Sequence, residues 1–135
     1  MNFDDAIDWI KIADDDLDSA KILNGAVRKH LEIICYLCAQ AAEKYLKGFL
    51  TYNDVVPEKT HNLPFLCSLC IEKDTSFGSI KVACDFLNRF AVDIRYPHRY
   101  EVSERDVSFS IESVEKIQGL GPILDLKNSI IDKDD

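Results

Sequence analysis

The sequence predicts an all-α fold, an up-and-down bundle of four to five helices with a short C-terminal helical extension, and three observations lead there. Apolar side chains recur every three or four residues over long stretches, the spacing of one helix face and not of a strand. Only five glycines and four prolines punctuate the chain, too few for a fold of many short, turn-bounded strands. With 47% hydrophobic and 30% charged residues, the composition is that of a globular protein that folds around its own core and needs no cofactor to do so. A length of 135 residues suits one domain, residues 1–135, and leaves no room for two ordinary ones.

The first helix carries Phe3, Ile10 and Leu17 at one seven-residue repeat and Ala6, Ala13 and Ala20 at another, a single apolar seam whose alanines permit close packing. Ile7, Trp9, Ile22 and Leu23 widen the stripe. Asn24 and Gly25 end it, because both tolerate the left-handed conformation of a helix terminus. A second helix, from about Leu31 to Thr51, places Ile34, Leu37, Cys38, Ala41, Tyr45 and Phe49 at intervals of three or four. Being apolar over so much of its circumference, it belongs at the centre of the bundle. Gln40, Glu43, Lys44 and Lys47 share its remaining face. The polar stretch after it, with Pro57, is a connector.

Asn62 caps a short third helix in which Pro64 falls early enough to be tolerated and Leu66, Cys67, Cys70 and Ile71 face inward. Residues 74–79 read as a loop. A fourth helix from about Ile80 to Ile94 gathers Val82, Ala83, Phe86, Leu87 and Phe90 on one side, and Pro97 ends it. Ser103 with Asp106 three positions later forms a capping box for a fifth helix bearing Val107, Ile111, Val114 and Ile117. Gly119, Gly121 and Pro122 interrupt it, and the apolar segment after them forms the short terminal helix.

Charge and composition narrow the function. A formal net charge of −8 excludes a protein that coats nucleic acid through a broad basic surface. The acidic residues crowd the first helix and the tail, while Arg28, Lys29, Lys44, Lys47, Arg89, Arg95 and Arg99 lie between, so a local basic pocket fits inside an acidic envelope. No apolar run reaches the roughly 18 residues that would span a bilayer, and the acidic N-terminus is unlike a signal peptide, which predicts a cytoplasmic protein. Five cysteines, an odd number outside any loop-rich framework, predict reduced thiols. Cys35 with Cys38 and Cys67 with Cys70 have the spacing at which four-thiolate zinc sites begin, yet both pairs fall within apolar helices, and the reading is buried core with no metal. Asp14, Asp15 and Asp16 are consecutive on a helix, cannot converge on one ion, and read as a solvated face.

The chemistry-bearing residues are Glu43, Lys44 and Lys47 on the second helix, Thr60, His61 and Asn62 after it, and Arg95, Tyr96, Pro97 and His98 after the fourth. Their order, A-A-E-K-x-L-K, then T-H-x-L-x-x-L, then R-Y-P and a final amphipathic helix, resembles the HEPN domain family over nearly the whole chain. The resemblance implies a helical bundle that often dimerises, with a polar cleft near the interface, and a partnership with a small nucleotidyltransferase in a toxin–antitoxin-like system. Some members are metal-independent ribonucleases that use an arginine and a histidine roughly four to six residues apart. In such a pair histidine would transfer protons and arginine would stabilise the phosphorane charge. Here Arg95 precedes His98 by three positions, with Pro97 between them, and Arg89 precedes it by nine; neither interval matches.

The expected function is therefore a noncatalytic module that presents Arg95, Tyr96, His61 and Lys47, with Lys44 and Glu43 beside them, to a nucleotide or RNA phosphate. One alternative is a ribonuclease built from Arg95 with His98 or His61. Another is a structural homodimer that scaffolds a partner without a small ligand. Each residue also has a structural alternative. Arg95 would pair with Glu43 or Asp93, His61 would bond backbone at a helix start, Tyr96 would fill the bundle end, and Lys44 and Lys47 would be solvated.

Overall fold

The computed structural model describes residues 3–57, 59–92 and 101–134, the side chains of 130–134 excepted. Helix α1 (Phe3–Asn24) and helix α2 (Leu31–Tyr52) form a long antiparallel hairpin; α3 (Leu63–Lys73), α4 (Lys81–Leu87), α5 (Glu104–Gln118) and α6 (Gly121–Asp134) complete the bundle. No strand occurs among the described residues, and no helix there is long and apolar enough to cross a membrane.

Helix α2 is the hub and packs against α1, α3, α4, α5 and α6. Its circumference explains why. Ile34, Cys35, Cys38, Ala39, Ala41, Ala42, Tyr45, Leu46 and Leu50 point in different directions around the axis and are all fully buried. The alanine seam of α1 behaves as its spacing dictates: Ala6, Ala13 and Ala20 have no exposed surface. Small side chains bring the two axes together, and Gly48 faces α1 directly. A Cβ built there would lie 2.9 Å from Ile10 Cδ1, 3.2 Å from Trp9 Cβ and 3.3 Å from the Ala6 carbonyl oxygen.

Local chemistry sets the helix ends. The Asn62 side chain accepts from the Phe65 backbone N–H at 3.1 Å, with Pro64 in the first turn of α3. Ser103 and Asp106 form a complete capping box on α5. Helix α2 ends differently: Asp54 adopts φ 60° and the Val55 N–H reaches back to the Leu50 carbonyl at 2.9 Å, a left-handed turn that satisfies the last carbonyls.

Three expectations are corrected. Residues 74–79, read as a loop, contain a 3-10 turn, Thr75–Ile80, started by the Asp74 side chain, which accepts from the Ser76 N–H. The fourth helix is shorter than its apolar pattern: α-geometry stops at Leu87, a 3-10 turn covers Asn88–Phe90, and residues 93–94 lie outside the described residues. Val82, grouped with the inward face, is 72% exposed, as is Ile22 on α1 at 73%. Their apolarity extended a periodic stripe past the width of surface that neighbours cover.

Candidate functional site

Of the residues singled out in the sequence, three meet. Glu43 and Lys47 stand one turn apart on α2, and Lys47 Nζ lies 3.1 Å from Glu43 Oε2. His61, in the connector before α3, places Nδ1 2.7 Å from Glu43 Oε1. The side chains of Glu43 and Lys47 are 6% and 9% exposed, whereas that of His61 is 60% exposed. One buried carboxylate thus holds a buried ammonium with one oxygen and a surface imidazole with the other.

Burial explains the arrangement. A carboxylate withdrawn from water is tolerated only when charge and hydrogen bonds replace its hydration, and Lys47 and His61 supply both. An ionised carboxylate only accepts, so the Nδ1 facing Glu43 carries the proton and donates. That fixes the ring and leaves Nε2 available on its exposed part, the second-partner logic by which carboxylates orient functional histidines. Lys47 is held from its other side by Trp9, whose ring centroid is 5.6 Å from Nζ. The reading of Lys47 as solvated is therefore corrected, and so is the backbone-bonded reading of His61.

Lys44 takes a different direction. Its ammonium pairs with Asp16 Oδ2 at 2.6 Å and approaches Gln40 Oε1 at 3.4 Å. It ties α2 to α1 on a neighbouring face, because successive residues diverge around the helix axis. Nearby, Asp14 accepts from the buried Tyr45 hydroxyl and, at 3.1 Å, from Gln118 Nε2, with Lys127 Nζ 3.4 Å away. Burial, reinforced by Asp14, pushes the Tyr45 phenol well above its ordinary range. Two of the three consecutive aspartates are thus structural anchors joining α1 to α2, α5 and α6; only Asp15 is exposed.

Arg95, Tyr96 and His98 lie outside the described residues. Ala91 is held against α2: Gln40 Nε2 donates to its carbonyl at 3.4 Å, one helical turn from Glu43. Arg89, the other arginine weighed for a catalytic pair, stacks 5.4 Å from the ring centroids of both Phe86 and Phe90 and sits 4.0 Å from Asp106. It fastens the end of α4 to α5.

All five cysteines are free and buried. The Cys67 thiol faces the Phe77 carbonyl at 3.6 Å and that of Cys70 the Leu46 carbonyl at 3.8 Å. No group of three or more histidine, cysteine, aspartate or glutamate side chains arranged for a metal ion occurs among the described residues. Sequence reasoning missed Trp9 and Thr51 as neighbours of this region. Thr51, one turn after Lys47, is buried, and its hydroxyl has no hydrogen-bond partner among the described residues, a deficit of the kind that costs about 1–3 kcal/mol. Its position at i+4 from Lys47 was the available signal.

Comparison with known proteins agrees with this architecture. No curated protein matches the chain. The crystal structure of an archaeal HEPN homologue is similar to it at a TM-score of 0.64 and 27% identity, over 93% of this chain and 97% of that one. The HEPN domain family model matches residues 6–121, and with most of the bundle covered by that match, the chain belongs to the HEPN family.

Proposed function

We propose that this protein is a noncatalytic module that binds a nucleotide or RNA phosphate and works in the cytoplasm as a homodimer partnered by a small nucleotidyltransferase, in a toxin–antitoxin-like system. The observation that carries the phosphate reading is the Lys47–Glu43–His61 cluster. A surface imidazole whose Nδ1 is committed to a buried carboxylate offers Nε2 in a fixed direction for contact with an anion. Support comes from the Gln40–Ala91 hydrogen bond, which holds Ala91, four positions before Arg95 in the sequence, against α2. Calorimetric titration with ATP and with a short single-stranded RNA tests the reading. His61→Ala and Arg95→Ala are each expected to weaken binding about tenfold, the value of one charged phosphate contact. Absence of heat with both ligands in the wild type would end it.

The same cluster also favours a second reading. A histidine oriented by a carboxylate is what proton transfer requires, so His61, or His98 with Arg95, would serve a metal-independent ribonuclease. Cleavage of single-stranded RNA in the presence of EDTA, abolished by His61→Ala or His98→Ala, would replace the binding role with this one. Sedimentation velocity over a wide concentration range tests the homodimer; a strictly monomeric species would remove it.

A further inference from the structure

The phosphate reading leaves the buried thiols unused, and two of them meet where α3 packs on α4. Cys67 and Cys84, both buried in the core, are hydrogen-bonded to each other. The Cys67 thiol in turn donates to the Phe77 carbonyl at 3.6 Å, so its sulfur is left to accept from Cys84. One turn further along, Leu63, four positions before Cys67, donates its N–H to the side chain of Asn88, four positions after Cys84, at 3.1 Å. The two contacts set the segments antiparallel, with the thiol-bearing faces opposed.

This arrangement selects Cys84 as the partner of Cys67. Cys70 is closer in sequence, but residues three apart on a helix keep their Cβ atoms about 5–6 Å apart, beyond the roughly 3.5–4.5 Å that a disulfide spans. The Cys70 thiol also faces another element, at the Leu46 carbonyl of α2, 3.8 Å away. The bond from Cys84 draws the Cys67 thiol down from its ordinary value, against burial, which makes Cys67 the attacking sulfur of the two. Access comes through α4, a helix of 7 residues between two 3-10 turns, since so short an element opens locally at less cost than a long helix. We propose that Cys67 and Cys84 are a redox pair, reduced at rest and joined by a disulfide on exposure to a peroxide, so that oxidation fastens α3 to α4. The Cys67 thiolate attacks one peroxide oxygen, the O–O bond breaks, and the departing hydroxide takes up the Cys67 proton as water, leaving a sulfenic acid. The Cys84 sulfur then attacks that of Cys67, the S–O bond breaks, and the hydroxide leaves with the Cys84 proton as a second water. The two thiols together lose two electrons, which reduce one hydrogen peroxide to the two waters. The pair involves neither His61 nor Glu43, so it is independent of the phosphate reading.

Peptide mapping of the wild type tests this pair. Native protein is treated with hydrogen peroxide, its remaining thiols are blocked with N-ethylmaleimide in urea, and it is digested with trypsin. A disulfide is expected between the peptides of residues 60–73 and 82–89, with Cys35, Cys38 and Cys70 carrying maleimide. The urea midpoint of the oxidised protein is expected to rise and to return with dithiothreitol. Cys70→Ala is expected to keep the link, and Cys84→Ala to lose both the link and the rise. The wild-type map decides even where a core variant does not fold. A link between Cys67 and Cys70, maleimide on both Cys67 and Cys84, or oxidation of Cys35 and Cys38 to the same extent would overturn the proposal. So would a urea midpoint that falls on oxidation, because the bond would then form at the expense of the α3–α4 contact.

Discussion

Glu43 is the residue on which the candidate site turns, because two groups, the Lys47 ammonium and the His61 imidazole, depend on one carboxylate. Removing it by Glu43→Ala leaves Lys47 charged, nearly buried and without a counter-ion, a defect that costs about 3 kcal/mol. Replacing both members, Glu43→Gln with Lys47→Met, removes the charge imbalance and is expected to recover most of that loss, since buried ion pairs often contribute little beyond neutralising each other. Urea denaturation of the two single variants and the double variant measures the coupling. Additive losses would show that the pair is not interacting. Half of this arrangement was legible in the sequence, where Glu43 and Lys47 are four apart on a predicted helix. The other half was not. Lys47 reads as a solvated lysine until Trp9 of another helix covers it, and His61 is 18 positions from the carboxylate that holds it.

At the scale of elements, the α1–α2 hairpin is the structural commitment that positions everything else, and at Gly48 it leaves little room for a side chain. Alanine would improve the helix propensity of α2 by about 1 kcal/mol, yet its Cβ would press on Ile10 Cδ1 at 2.9 Å and on the Ala6 carbonyl at 3.3 Å. Backbone cannot yield as a flexible side chain can, so overpacking wins and Gly48→Ala is expected to lower stability by about 1–2 kcal/mol. A rise in the denaturation midpoint would show that the helices part at no cost. The Asn62 cap makes a separate prediction. Asn62→Ala removes the acceptor of the Phe65 N–H and is expected to cost about 1 kcal/mol with the α1–α2 contact unaffected, so the two losses should add. Element boundaries were legible where a cap or a breaker marks them, as at Asn62 and Ser103; the first helix also ends at Asn24, but neither Asn24 nor Gly25 takes the left-handed conformation expected of that pair. They were misjudged where only apolarity spoke. The pattern from Ile80 onward contains no breaker before Pro97, although backbone geometry changes at Asn88, whose side chain accepts from the Leu63 N–H at 3.1 Å. A tertiary bond of that kind leaves no local trace in the sequence.

For the molecule as a whole, the five buried thiols turn core packing into a dependence on pH. Burial pushes Cys35 up to about 11 and raises Cys38 and Cys70 further. Cys84 is raised by its hydrogen bond with Cys67 and by burial, while the same bond lowers Cys67. An unfolded chain would release thiol protons near the ordinary value of 9.0, so above that value the unfolded state binds fewer protons than the folded one. Linkage then fixes the sign: the contribution of the raised thiols is fully present below their unfolded value and declines as pH climbs through the interval up to the folded one. The raised Tyr45 phenol acts in the same direction. Urea midpoints are therefore expected to fall from about pH 8 to about pH 10, and replacing Cys38 and Cys70 by alanine should flatten that fall while lowering stability at both values through lost packing. The thiols supply a second readout, since a buried neutral thiol is not a nucleophile. Iodoacetamide at about pH 8 is expected to label the native protein slowly, with Cys67 first, and all five positions rapidly in urea. Rapid labelling of Cys38 and Cys70 in the native state would place them outside the core and remove the alkaline effect with them.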